Sequence, residues 1–312
     1  MIREIEGKVV KGLGGLYEVR YEENGKIERI SCRAKGNLKR DEEKVLIGDR
    51  VKVMIDTDTP DGIVISKVLP RSNSLIRPPM ANLDYLFIVM AAKKPSPVIE
   101  TVDKLISIAV HNRIRPVIVV TKGDLSSDAA EEYASLYRSV GIDSFTTSSE
   151  SGEGISALSE YIEAHLSGGA TAAFAGASGV GKSTLMNALF PSLSLATSEV
   201  SRKIERGRHT TRHVEIFDIG DAGQCGFLAD TPGFSLIDFE RFDFFGIDDL
   251  LPTFSELLPY VDRCRYSDCS HTREAASECA VAAAAERGEI PASRLESYRN
   301  IYGILKAKNT YE

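Results

Sequence analysis

Residues 176–184 read Gly-Ala-Ser-Gly-Val-Gly-Lys-Ser-Thr, which meets G-x-x-x-x-G-K-[ST] at every fixed position. A triphosphate needs this spacing. Gly176, Gly179 and Gly181 allow the backbone to curl, so that successive N–H groups, those of Ala177, Ser178 and Val180 among them, converge on phosphate oxygens. Lys182 then reaches the β- and γ-phosphates as a catalytic, charge-stabilising group, and the Ser183 hydroxyl ligates Mg²⁺ with Thr184 beside it. An apolar strand, TAAFAG, precedes the loop, and a helix, STLMNALF, follows with its positive dipole end toward the anion. The expected ligand is a nucleoside triphosphate.

A second motif selects the base. Thr121-Lys122-Gly123-Asp124 ends the apolar run VIVV and resembles the N-K-x-D guanine motif of GTPases. There a carboxylate accepts from guanine N1–H and N2–H₂, donors that adenine does not offer, and a site built for them rejects the analogue lacking them. Asp124 takes that role, with the Lys122 stem packed on the base. Taken alone, the same four residues also suit a helix N-cap. A third motif, Asp230-Thr231-Pro232-Gly233, ends the run GFLA. An acid at such a strand end helps to hold Mg²⁺, and the Gly233 N–H reads the γ-phosphate. Between the phosphate loop and this third motif lies GRHTTRHVEIF (207–217), which resembles a switch I segment: Thr210 or Thr211 would ligate Mg²⁺ there. The motif order is unusual. TKGD precedes the phosphate loop and DTPG follows it, the order of a circularly permuted GTPase domain, since domain termini that lie close can be joined and the chain opened elsewhere.

A different chemistry is spaced along Cys264-x₄-Cys269-x-His271-x₇-Cys279. Three thiols and an imidazole within sixteen residues suit one structural, closed tetrahedral Zn²⁺. Cys32 and Cys225 lie outside the cluster and read as buried small hydrophobes. Five cysteines in 312 residues do not make a disulfide framework.

The elements that must carry these groups fall into three regions. Residues 1–72 hold five short alternating runs, GKVVKG, LYEVRYE, KIERISCRA, DRVKVMI and GIVISKVLP, which predict a small β-barrel of OB type. Within it, Lys26, Arg29, Arg33, Lys35, Lys39 and Arg40 stand against the single acid Glu28. Arg29, Arg33, Lys35, Lys39 and Arg40 are candidate RNA-backbone contacts; a solvated edge strand protected by its charges explains them equally well. RSNSLIRPP (71–79) has the composition of a linker. Residues 73–240 alternate strands and helices, the signature of a parallel sheet covered on both faces, with Val102, Leu105, Ile106 and Ala109 on one helix face. Residues 241–312 form a helical region around the cysteine cluster. At 43% hydrophobic and 27% charged residues, the chain is ordinary globular protein. No stretch is apolar enough to span a membrane and the start lacks a signal-peptide core, so a soluble cytoplasmic protein, acting as a monomer, is expected. The net charge of −7 does not advertise nucleic-acid binding, but an average hides local basic faces.

Taken together, GDRV (48–51), PRSNSLIRP (70–78), the permuted motif order, GASGVGKST, GRHTTRH, DTPGF and the cysteine cluster resemble the ribosome small subunit-dependent GTPase A family across essentially the whole chain. The resemblance implies an OB-fold that contacts ribosomal RNA, a permuted GTPase core and a zinc-binding C-terminal domain. It also implies GTP hydrolysis stimulated by the small ribosomal subunit during its late maturation. Thr121 stands where the guanine motif usually has Asn, and Ser148-Ser149-Glu150 where the fifth GTPase motif usually reads Ser-Ala-Lys; the Ser149 N–H still serves guanine O6. The spacer from His271 to Cys279 is longer than usual. Phe234 occupies the place of the water-orienting Gln of Ras-like enzymes. Intrinsic hydrolysis is therefore expected to be slow, with His209 either positioning water once the subunit docks or serving as an ordinary loop residue. Two other classes are weighed: an RNA-binding scaffold that binds nucleotide with little or no turnover, and an ATP-dependent phosphoryl-transfer enzyme, against which Asp124 argues.

Overall fold

Alternating apolar and polar residues build the first five strands: β1 (Ile2–Leu13), β2 (Leu16–Glu23), β3 (Lys26–Ala34), β4 (Arg50–Asp56) and β5 (Ile63–Val68). In β4, Val51, Val53 and Ile55 are buried while Arg50 is exposed, the period of two expected of a strand with one buried face. The strands close into a barrel in the order β1-β2-β3-β5-β4, as the runs predict. The closing pair, β3 with β5, is parallel, and its neighbours are antiparallel. Val9, Val19, Cys32, Val53 and Ile65 fill the interior. Burial pushes the Cys32 thiol up to about 11, so it packs as a small hydrophobe. The computed structural model describes residues 2–36, 44–59, 62–193, 214–220, 226–230 and 242–309.

The stretch with linker composition is firmly anchored. Asp49, fully buried, accepts from Arg71 Nε at 2.7 Å and Arg71 Nη2 at 2.8 Å, and from the Leu46 N–H at 2.7 Å. Two short strands follow, β6 (Ser74–Leu75) and β7 (Met80–Ala81), which pair with each other. Asn82 Nδ2 donates to the Gly48 carbonyl at 3.0 Å. Gly48 is obligatory here: its φ is +89°, and a Cβ would stand 2.0 Å from the Ala81 oxygen. GDRV and PRSN therefore meet as one joint.

The central region contributes β8 (Tyr85–Ala91), α1 (Ile99–His111), β9 (Arg115–Thr121), α2 (Ser127–Ser139), β10 (Ser144–Thr146), α3 (Ile155–Leu166), β11 (Thr171–Ala175), α4 (Lys182–Leu189), β12 (Glu215–Ile219) and β13 (Gly226–Asp230). The sheet order is β10-β9-β8-β11-β13-β12. The β10–β9 and β11–β13 pairs are parallel, while β12 runs antiparallel to β13 at the edge. The sequence pattern missed that edge strand, which it joined to the segment before it. Val102, Leu105, Ile106 and Ala109 are buried on α1, as expected. Past residue 241 come α5 (Leu258–Val261), α6 (Ala280–Glu286) and α7 (Ala292–Asn309).

By contacts the chain divides into two compact units. One comprises Met1–Phe87, Ile155–Ala175 and Lys182–Ser235, the other Ile88–Gly154, Gly176–Gly181 and Leu236–Glu312. Within the second unit, Arg294 on α7 is 1% exposed and places Nη1 2.5 Å from Asp103 of α1 and Nε 2.6 Å from Glu256. A charge buried that deeply is tolerable only with such partners, and they fix the register of α7 against α1. Among the described residues, no helix is long and apolar enough to cross a membrane.

Candidate functional site: a nucleotide cradle and a thiol-rich metal centre

In the second unit, β9 delivers Thr121-Lys122-Gly123-Asp124 to the glycine-rich loop from Gly176 to Gly181. Thr121, buried at the end of β9, has its Oγ1 2.5 Å from the Val180 carbonyl and 3.2 Å from that of Met90. A hydroxyl has one proton to give, and the shorter contact identifies Val180 as its acceptor. Lys122, in the left-handed region at φ +58°, donates from Nζ to the carbonyls of Gly179, at 2.7 Å, and Lys94. Two consecutive loop carbonyls are thus held from one side. Because a trans peptide points its N–H opposite its C=O, the N–H groups of Val180 and Gly181 turn to the other side, where an anion would bind. The loop also passes close to a strand: Gly176 has φ +144°, and a Cβ there would stand 2.2 Å from the Val89 oxygen.

Asp124 follows in a short 3-10 turn and is exposed. The Ser148 hydroxyl donates to its Oδ1 at 2.6 Å. Ser148 is itself fully buried, accepts the Ser151 N–H through Oγ at 3.2 Å, and donates its own N–H to the Glu153 carbonyl at 2.9 Å. The Gly123 N–H donates to the Thr147 carbonyl at 3.0 Å. One carboxylate oxygen is thereby oriented from behind while the residue stays open to a ligand. Ser149 is half-buried beside this pair and Glu150 is exposed. The structure brings together Thr121, Lys122, Asp124, Ser148, Ser149 and the loop from Gly176 to Gly181.

In the first unit, Lys182, Ser183 and Thr184 form the first turn of α4. Burial lowers the Lys182 amine from its ordinary range. Asp230 closes β13 in register with Glu215 of β12. Its carboxyl is pushed up by the protein packed around it and then by the Glu215 charge, although its outer edge remains open to solvent. A serine hydroxyl and a carboxylate are hard oxygen donors of the kind Mg²⁺ takes, so the donor chemistry present fits that ion. His209, Thr210, Thr211, Gly233 and Phe234 lie outside the described residues, as does Cys225.

The metal-ligand spacing becomes geometry in the second unit. His271 Nδ1 lies 3.6 Å from Cys264 Sγ, 3.4 Å from Cys269 Sγ and 3.5 Å from Cys279 Sγ. The sulfurs of Cys264 and Cys279 are 3.9 Å apart, and all four donor atoms lie within 4.8 Å of one another. A tetrahedral ion with metal–sulfur bonds of about 2.3 Å and a metal–nitrogen bond of about 2.0 Å demands edges of about 3.8 Å and 3.5 Å. The residues fit. Local contacts fix the set. Cys279 caps α6, accepting the Ala282 N–H at 3.4 Å, and His271 takes a left-handed φ of +61°. From α7, Tyr298 Oη donates to the Ser270 carbonyl at 3.2 Å and Arg299 Nε to the His271 carbonyl at 3.0 Å. Burial opposes ionisation of Glu274, but its own N–H, those of Arg273 and Ser270 and the Ser270 hydroxyl outweigh it and hold its carboxyl at about 2.

Of the basic candidates on the barrel, Arg33 and Lys35 are exposed, and Lys39 and Arg40 lie outside the described residues. Arg29 has acidic partners: Nη1 on Glu18 at 2.9 Å and Nη2 on Asp218 of β12 at 3.1 Å. Sequence reasoning missed the residues that join the barrel to the sheet inside the first unit. Arg20 Nε pairs with Asp218 Oδ1 at 2.9 Å, and Lys11 Nζ with Glu215 at 2.9 Å. Lys8 Nζ donates to Thr171 Oγ1 at 2.8 Å and to the Gly169 carbonyl at 3.3 Å, 3.8 Å from the centre of the Phe227 ring. Partners roughly 160 to 200 positions away leave no local signal.

Comparison with known proteins identifies the family and the fold. The sequence model of the RsgA GTPase family matches residues 68–240, and that of the RsgA N-terminal domain matches residues 6–64. The chain is 39% identical to "Small ribosomal subunit biogenesis GTPase RsgA 2" of Listeria monocytogenes, covering 97% of this chain and 98% of that protein. It is 40% identical to "Small ribosomal subunit biogenesis GTPase RsgA" of Ruminiclostridium cellulolyticum, over 96% and 93%. Among solved structures, YjeQ from Thermotoga maritima superposes with a TM-score of 0.78 at 32% identity, over 97% of this chain and 99% of that one. YloQ, described as a circularly permuted GTPase, superposes with a TM-score of 0.75 at 32% identity, over 98% and 96%.

Proposed function

The chain belongs to the RsgA GTPase family, and from that premise we propose that it hydrolyses GTP on the small ribosomal subunit during late maturation, as an assembly or checkpoint factor in the cytoplasm. One observation carries the nucleotide part: Thr121 and Lys122 grip the phosphate-loop carbonyls of Val180 and Gly179, so base recognition and phosphate binding share one cradle despite their reversed order in the chain. In this reading Asp124, oriented by Ser148, accepts from the guanine N1–H and N2–H₂, and the Ser149 N–H serves O6. The N–H groups of residues 176–181 and the Lys182 amine bind the phosphates. Ser183 and Thr210 or Thr211 would hold Mg²⁺ with Asp230 nearby; the ion supplies charge neutralisation at the β- and γ-phosphates. Gly233 senses the γ-phosphate, and His209 positions water.

The three parts are an RNA-binding barrel (1–72), the permuted GTPase domain (73–240) and a metal-stabilised helical domain (241–312), with rRNA met through Arg33, Lys35, Lys39, Arg40 and Arg29. The cluster of Cys264, Cys269, His271 and Cys279 would hold one Zn²⁺ in a closed, structural role, since thiolates leave no water position. The chain acts as a monomer.

The test is phosphate release from GTP and from ATP, with and without purified small subunits. Slow basal GTP turnover that rises with subunits, with ATP inert, is the expected result. GTP binding without release even on subunits instead establishes the scaffold. Unchanged stimulated turnover in His209→Ala removes that residue's role.

A further inference from the structure

We propose that Arg29 is shared between two anions: it holds Asp218 of β12 in the free protein and an RNA phosphate in the bound one, so that RNA docking on the barrel loosens β12. The inference rests on the preceding reading that the barrel's basic face meets RNA.

The two cations on Asp218 are unequal. Arg20 and Arg29 are cross-strand partners on β2 and β3. The Arg20 side chain is 11% exposed, and its guanidinium also lies 5.4 Å from the centre of the Phe227 ring. That of Arg29 is 41% exposed and divides its nitrogens between Glu18 and Asp218. Arg20 is the anchor and Arg29 the exchangeable arm. An exposed ion pair is weak, whereas a phosphate offers an oxyanion to the same planar fork and gains from counterion release. When Arg29 leaves, Asp218 keeps Arg20, so no buried charge is stranded. Arg33 and Lys35, exposed on or just past β3 and of the same face parity as Arg29, extend the track along which a phosphate backbone would run.

The contact sits on a strand that matters. β12 begins one residue past the segment GRHTTRH (207–213), after Val214, and its Glu215 is in register with Asp230. A change in the hold on β12 therefore acts where the nucleotide-responsive stretches begin. Linkage makes the coupling reciprocal: abolishing the claim of Asp218 on Arg29 must tighten RNA binding.

The experiment titrates a fluorescent RNA hairpin with the full-length protein and cosediments it with purified small subunits, using wild type, Asp218→Asn, Arg29→Ala and the double variant. Asp218→Asn should tighten binding about two- to five-fold. Arg29→Ala should weaken it and lower the slope of log K against log salt by about one. In the double variant the gain from Asp218→Asn should vanish, which separates release of Arg29 from a general loss of negative charge. No tightening, or a gain that persists in the double variant, overturns the proposal. Should Asp218→Asn fail to fold, hydrogen exchange of wild-type amides 215–219 decides: faster exchange with RNA bound supports it, and unchanged or slower exchange overturns it. A wild-type protein that binds neither hairpin nor subunit defeats the ribosomal reading and this inference with it. Normal wild-type binding with a silent Asp218→Asn defeats the inference alone.

Discussion

The thiol cluster and the nucleotide cradle are both small sites tied together by short contacts, but they are completed differently. In the cluster, four donor atoms converge from a sixteen-residue stretch on a point where no protein atom supplies the bond. The cradle joins segments almost sixty residues apart through donors and acceptors that satisfy one another, Thr121 to Val180 and Lys122 to Gly179. A site whose polar groups are paired by the polypeptide keeps its form between ligands, while one built around a shared acceptor of electron pairs depends on that acceptor.

Removing a metal ligand is the strongest way to press the contrast. On the proposed zinc assignment, Cys279→Ser should abolish zinc binding at the cluster and expose residues 262–291 to rapid hydrogen exchange, a local loss of about 5 kcal/mol or more. GTP affinity of the cradle should be affected far less. If both sites fail together, the contrast is broken. Lys8 is an intermediate case, paired by the polypeptide but conditional on a proton. Burial lowers its amine from 10.5 to about 8, with Asp84 partly opposing. Its charge therefore costs stability at every pH below about 8, and that cost fades between about 8 and 10.5. Across this window, urea unfolding should show wild type gaining up to about 3 kcal/mol on Lys8→Met. A parallel pair of pH profiles contradicts it.

Within the cradle, Asp124→Ala should cost about 10²-fold in GTP affinity with little change for ATP, read by nucleotide competition. Thr121→Val, which keeps the shape and removes the hydroxyl, should weaken GTP binding about ten-fold, and Thr121→Ser should restore it. An unaffected Thr121→Val would mean that Lys122 holds the loop alone.

The chemistry was more legible in the sequence than its supports. GASGVGKST, TKGD and the cysteine spacing were legible as candidate sites because phosphate, guanine and a tetrahedral ion each impose residue types at fixed intervals. The barrel was legible because five runs alternate with period two. The purpose of Thr121 was not: it read only as a departure from Asn, yet its hydroxyl reaches the loop carbonyl. Nor could the pattern show that Asp49 of GDRV is the partner of Arg71 in PRSN, or that Arg29 already has two acids, because such pairs form only after strands distant in the chain have met. β12 was obscured by the charged segment that runs into it.

The antiparallel hairpin of β12 and β13 has one more consequence. Because Glu215 sits opposite Asp230, the start of β12 and the end of β13 stand at one level, like two floorboards cut to the same length. A one-residue slip of β12 along β13 would turn its side chains to the opposite faces of the sheet, carrying Asp218 away from Arg20 while every motif in the sequence stayed intact.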